Sequence, residues 1–127
     1  MIKDWSKYPN FSKSEFDCQE TGENNMHPEF MGRLQALRTA LRQPIIINSG
    51  YRSPTHPIEA KKTSVGSHTT GRAVDVKASG HYAFELVELA IELGFTRIGV
   101  SQKGDYNSRF IHLDDNPDFP HPVIWSY

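Results

Sequence analysis

The 127-residue chain carries 14 basic and 15 acidic side chains, six histidines, one cysteine and 37% hydrophobic residues. That length suits one domain, expected to span residues 1–127 around a single core. A net charge of −1 leaves no electrostatic footprint for nucleic acid, and no apolar run approaches the roughly 20 residues of a membrane span.

The opening residues Met1-Ile2-Lys3-Asp4-Trp5 lack an apolar signal core, which predicts no export signal and a cytoplasmic chain. The first 27 residues are polar and loop-rich. Within them Ser12-Lys13-Ser14-Glu15 has the form of a capping box and predicts a short helical turn. Phe16 follows as an inward anchor, and Trp5, Tyr8 and Phe11 are expected to pin this segment to the body. Cys18 has no cysteine partner for a disulfide or a metal, and is expected to be a half-buried apolar residue.

The clearest helix runs from about Pro28 to just before Pro44, with Phe30, Leu34, Leu37 and Leu41 on one stripe. Ile45-Ile46-Ile47 then predicts a short, fully buried strand. Residues 48–72 hold Gly50, Pro54, Pro57, Gly66 and Gly71, a loop longer than a compact domain keeps without a functional reason. Ala73–Ala78 predicts a strand with Val74 and Val76 on one face and Asp75 and Lys77 on the other. A second helix is expected from about Gly80 to Leu93, ended by Gly94. Thr96–Ser101 and Arg109–Asp114 predict two strands of a hairpin, followed by an extended, packed tail. Strands that do not alternate regularly with helices indicate an α+β fold: a small, mainly antiparallel sheet, helices on one face and a cleft on the other.

His68, Asp75 and His112 are the candidate chemistry. In Phe110-Ile111-His112-Leu113-Asp114, His112 and Asp114 share a strand face opposite Ile111 and Leu113. If the two strands share a sheet, one face presents two imidazoles and a carboxylate. That donor set suits a catalytic zinc with an open fourth position, and one carboxylate leaves the metal a net positive charge. A plainer reading also fits: His68 caps a turn, Asp75 pairs with Arg72 or Lys77, and His112 is a hydrogen-bonded histidine. The other four histidines, His27, His56, His81 and His121, have ordinary explanations as caps or surface residues.

Three stretches carry a resemblance. They are Ser49-Gly50-Tyr51-Arg52-Ser53-Pro54, Gly66-Ser67-His68-Thr69-Thr70-Gly71-Arg72-Ala73-Val74-Asp75-Val76, and Ile111-His112-Leu113-Asp114. Together they resemble the zinc-dependent D-Ala-D-Ala carboxypeptidases and L-Ala-D-Glu endopeptidases, whose fold is shared with the hedgehog signalling domain. The short Ser12–Phe16 turn, the approach helix and Trp125-Ser126-Tyr127 extend the likeness to a bacterial and phage branch. The resemblance implies that His68, Asp75 and His112 bind Zn2+, and that Arg52 steadies the substrate carbonyl or carboxylate. Relatives place an acidic residue two or three positions before the last zinc histidine, where this chain has Phe110 and Arg109. Asp114 is therefore the first candidate for the general base, with an outer-sphere carboxylate as its alternative, and Asp105 is the second candidate, with an ordinary turn residue beside Gly104 as the favoured alternative.

The expected function is a zinc metallopeptidase hydrolysing a bond of peptidoglycan stem peptides, as a D,D-carboxypeptidase or an endopeptidase. A phage lysis enzyme, or the removal of a leader, would reconcile that substrate with the expected lack of an export signal. Hydroxyls of Ser67, Thr69 and Thr70 would line the cleft, and the chain is expected to act as a monomer. The alternatives are a catalytically weak or inactive zinc module that binds cell-wall peptide, and a phage structural protein that keeps the fold.

Overall fold

In the computed structural model, which describes residues 1–60 and 66–127, helix α1 spans Pro28–Leu41. His27 caps it, its Nδ1 accepting from the Glu29 amide at 3.1 Å, and Pro28 fills the first turn, where no N–H partner is needed. Phe30, Leu34 and Leu37 are fully buried, each burial contributing about 1.5–3 kcal/mol.

Strand β1 covers Ile47–Ser49, two residues later than the isoleucine run suggests. The expectation of a fully buried strand also fails: Ile45 is 6% exposed but Ile46 is 56% exposed. The reason is position, because β1 is an edge strand that pairs only with β2. The long connection carries a short helix, α2 (Pro57–Ala60), and a 3₁₀ turn at Ser67–Thr70, with residues 61–65 lying outside the described chain. Then come β2 (Ala73–Lys77), α3 (Gly80–Glu92), β3 (Arg97–Ser101), β4 (Phe110–Asp114) and β5 (Val123–Ser126).

The five strands form one sheet in the order β1-β2-β4-β3-β5. All pairs are antiparallel except β3 with β5, so the fold is α+β with a mostly antiparallel sheet, as the element order indicates. The tail residues expected to be extended and packed include β5, whose parallel pairing the flanking prolines conceal in the sequence. Side chains alternate across the sheet. Val74, Val76, Ile98, Ile111 and Leu113 join one buried cluster with Phe30, Leu34 and Leu37 of α1 and Leu86 of α3. Their neighbours Asp75, Arg97, His112 and Asp114 therefore point to the opposite face.

The N-terminal segment is pinned as expected, with Trp5 stacked on Phe16 and Phe11 packed edge-on against it. Glu15 Oε1 accepts from the Ser12 amide at 2.8 Å, closing the short turn. Phe16 then approaches Gly50 so closely that a Cβ there would lie 2.7 Å from the Phe16 Cα. Gly71, at φ +76°, sits beneath the Asn25 carbonyl, where a Cβ would overlap the oxygen. Its own carbonyl accepts from the His27 amide at 2.9 Å. The two glycines thus let the N-terminal segment clamp the backbone on both sides of His68.

Candidate metal centre

The β2–β4 register sets Asp75 directly opposite His112, and β3 sets Gly99 opposite His112 on the other side. Directly opposed residues share a face, so the central row of the sheet presents a carboxylate beside an imidazole. His68 reaches the same place from the 3₁₀ turn just before β2. Its Nε2 lies 3.5 Å from Asp75 Oδ1, and His112 Nδ1 lies 3.1 Å from the same oxygen. One ligand atom from each of the three residues falls within 4.8 Å of the others. All three residues are buried, between 5% and 9% exposed.

The second nitrogen of each imidazole is also anchored. His68 Nδ1 lies 2.9 Å from the Gly50 carbonyl oxygen, which can only accept, so His68 donates there from Nδ1 and presents Nε2 to the cluster. His112 Nε2 lies 2.9 Å from Asp114 Oδ2, so its Nδ1 faces the cluster. Such outer partners fix the ring orientation and tautomer of metal-binding histidines.

Asp114 is fully buried and serves several donors. Besides His112, its Oδ1 accepts from the Asn116 amide at 2.9 Å, and the Ser67 hydroxyl adds a further bond. Arg97 forms an ion pair with it, Nε to Oδ1 at 3.3 Å, and its guanidinium is packed between the rings of Phe119 and Trp125. Asp75 has its own guanidinium: Arg52 Nη2 lies 3.5 Å from Oδ2, the oxygen turned away from the imidazoles. The plainer pairing of Asp75 with Arg72 is not made. Arg72 instead grips Asp115 through two bonds of 2.8 and 3.1 Å and reaches Glu29 at 2.9 Å.

These contacts set the charge states. Burial alone would raise the Asp75 carboxyl, but hydrogen bonds from His112 and His68, and their charge, hold it well below the usual carboxylate range. Burial would lower His112, yet bonding to Asp114 and Asp75 lifts its imidazole above the ordinary histidine value. Burial likewise opposes the Asp114 charge, and His112, Ser67 and the Asn116 amide outweigh it, so that carboxyl is depressed. The cluster is built to accommodate positive charge between Asp75 and the two rings.

The donor set fits a zinc ion. Tetrahedral zinc with bonds near 2.0–2.1 Å needs donor atoms about 3.3 Å apart, close to the spacings found here. Two neutral nitrogens, one carboxylate oxygen and anchored outer nitrogens make up such a site. A family model described as Peptidase M15 matches residues 9–114. The chain belongs to the peptidase M15 family. Membership in the M15 family implies a zinc metallopeptidase, and among the described residues His68, Asp75 and His112 form a group that could hold a metal ion. No curated protein matches the chain.

The remaining expected residues of this M15 chain fall at different distances from the cluster. Arg52 is beside Asp75, held by a backbone bond from its amide to the His68 carbonyl at 3.2 Å. Asp105 is exposed at the tip of the β3–β4 connection, next to the turn at Tyr106–Ser108. That connection leaves the sheet at the Phe110 end, whereas His68 approaches from the Ala73–Asp114 end. Thr70 donates to the Ser67 carbonyl at 2.6 Å and accepts from Asn116, so its hydroxyl serves the turn. Cys18 is more buried than expected, at 2% exposed, and its Sγ accepts from the Ser53 amide at 3.5 Å. His27, His56 and His121 bond to nearby backbone and His81 pairs with Glu85, all outside the cluster.

Several contributors were given no part in the cluster by the sequence reading: the Gly50 carbonyl, Arg97, Asn116 and Trp125. Trp125 packs against His112 with ring centroids 5.1 Å apart. The small residue Gly99, beside His112 in the register, was the available signal that a large ring covers that point.

Proposed function

We propose that this M15 member hydrolyses a peptide bond in peptidoglycan stem peptides, with His68, Asp75 and His112 holding a zinc ion. The observation that supports this most is the pair of imidazoles whose outer nitrogens are fixed by Gly50 and Asp114 while their inner nitrogens converge on Asp75. Zinc bound there would supply Lewis acidity and bring the pKa of water towards about 7. Arg52 offers the cleft a guanidinium beside Asp75 and donates to the substrate's developing oxyanion or its terminal carboxylate. Asp114 orients His112 rather than moving a proton, because it is fully buried and committed to His112, Asn116 and Arg97. Asp105, exposed on its connection, is the remaining candidate for the proton acceptor.

The second reading is a zinc module that binds cell-wall peptide without cutting it. It is favoured by Arg109 and Phe110, which occupy the positions before His112 where the sequence pattern calls for an acid. Arg109 is turned to its own loop, bonding the Gly104 carbonyl and covering the Tyr106 ring.

Elemental analysis of the purified protein with a muropeptide digest read by mass spectrometry separates the readings. The expected result is stoichiometric zinc and a cleavage product that disappears with chelator. His68→Ala and His112→Ala should each lose the metal, and full zinc content in both would overturn the ligand assignment. Zinc without cleavage would leave the binding module.

A further inference from the structure

Strand β3 turns two small residues, Gly99 and Ser101, towards the face that carries the metal cluster. They leave a trough between β4 and the edge strand β5. Two aromatic residues of the β5 segment lean inward across it. The Trp125 indole fills the space that a Cβ on Gly99 would need, with three of its atoms within 2.7–2.8 Å of that point. Tyr127 continues the β5 ladder, its amide donating to the Val100 carbonyl at 3.2 Å, which brings it alongside Ser101. Its ring crosses β3 to meet Phe110 of β4, centroids 5.0 Å apart.

The Tyr127 hydroxyl consequently sits in the field of the cluster. Burial raises its pKa, the Trp125 indole N–H opposes that, and Asp75, Arg52 and Asp114 all act on it at longer range. The net shift is upward, so the phenol is neutral at physiological pH and keeps its proton. Tyr127 is half exposed, and in its side-chain bond with the Trp125 indole N–H the phenol oxygen accepts, which leaves its O–H to donate. A half-exposed phenol packed on the rings of Phe110 and Trp125, in the field of a buried charged cluster, is well suited to bind a ligand.

We propose that Tyr127 contacts the substrate: its O–H donates to a carbonyl or carboxylate oxygen of the bound peptide from the β5 side of His112, facing Arg52 across the cleft. Phe110 and Trp125 form the apolar floor beneath that part of the peptide. This places the peptide across the strands, between a guanidinium on the β2 side and a phenol on the β5 side. The inference rests on the stem-peptide reading given above.

The test uses the zinc-loaded full chain, its Tyr127→Phe variant and the synthetic pentapeptide L-Ala-D-Glu-L-Lys-D-Ala-D-Ala. Zinc content and thermal midpoint are measured first, then peptide binding by calorimetry, and kcat and KM by product release. Tyr127→Phe keeps the ring and its packing, so zinc content and midpoint should match the wild type. Losing one hydrogen bond to the ligand should weaken peptide binding, or lower kcat/KM, about tenfold. Unchanged binding and unchanged kcat/KM in the variant overturn the Tyr127 assignment and leave the peptidase reading standing. A wild-type protein that binds the peptide without cutting it overturns the peptidase reading, and the variant's affinity then decides the role of Tyr127. A wild type that holds zinc but neither binds nor cuts the peptide overturns both.

Discussion

Replacing Asp114 with asparagine separates the two roles open to this carboxylate. In the native arrangement Oδ2 accepts from His112 Nε2 and Oδ1 accepts from the Asn116 amide, both at 2.9 Å. Asparagine has one acceptor oxygen and one donor group. If the oxygen stays on the Asn116 amide, the new NH2 faces His112 Nε2 and drives the ring proton to Nδ1, the nitrogen that faces Asp75. If it turns to His112 instead, two donors meet at Asn116. Either arrangement spoils the tautomer or strains the turn. Loss of an outer partner of this kind costs about 10–100-fold in metal affinity, or roughly 1.4–2.8 kcal/mol. The assay is zinc affinity by competition with a chromophoric chelator, paired with peptide hydrolysis at saturating zinc. The expected outcome is weakened zinc binding, with most activity restored when zinc is in excess. Zinc affinity equal to the wild type, with a rate at saturating zinc about 100-fold or more lower, would make Asp114 the general base and refute the orienting role.

Gly71→Ala introduces a Cβ at φ +76° against the Asn25 carbonyl, so the clamp between the N-terminal segment and the His68 turn must open. A loss of more than about 1 kcal/mol is expected from the urea midpoint, and Gly22→Ala, equally left-handed but with open space around it, should cost less. Acid should weaken the same segment. Partial burial would raise the Asp17 carboxyl, but hydrogen bonds from Lys13 and Asn24 and the Lys13 charge leave it depressed. Its contribution is therefore complete above the unfolded value of about 3.9 and is lost as pH falls below it towards the lower folded value. The denaturation midpoint of Asp17→Asn should fall less steeply than the wild type between about pH 5 and 3, and parallel curves would remove Asp17 from that account.

Local patterns carried the two long helices and strands β2, β3 and β4 into view, because stripes such as Phe30-Leu34-Leu37-Leu41 and alternations such as Val74-Asp75-Val76 leave a direct mark. The pairing of Asp75 with His112 was legible as a shared face but not as a register, since register is fixed by contacts between distant segments. β1 was misplaced because a run of three isoleucines reads the same whether the strand is central or at an edge. β5 escaped notice because its partner is parallel and 25 or so residues away, with prolines on its approach. The outer contacts of the cluster were least visible. A backbone carbonyl such as that of Gly50 has no side-chain signature, and nothing local to Arg97 pairs it with Asp114. That His68, Asp75 and His112 would meet was readable because their residue types and the Ser67–Asp75 string point to a shared site, whereas a carboxylate such as Asp114 suits two roles that residue type alone does not separate.

The arrangement of charge around the cluster explains why so polar a row can sit inside the sheet. Each carboxylate has its own guanidinium: Asp75 with Arg52 at 3.5 Å, and Asp114 with Arg97 at 3.3 Å. Positive charge beside each carboxylate relieves the desolvation cost of burying Asp75 and Asp114. It also means that a divalent cation between the imidazoles would retain most of its charge, the condition for strong polarisation of a bound carbonyl. Arg97 is the informative one to remove, because it acts at one remove, through Asp114 and His112. Arg97→Met keeps an unbranched stem between Phe119 and Trp125 but leaves Asp114 unbalanced. The freed negative charge should make the site less electrophilic and move the acid limb of the pH–rate profile upward, by up to about one unit. A lower rate with that limb unmoved would mean that Arg97 serves only to seat the aromatic rings, and that the charge balance of the pair does not reach the reaction.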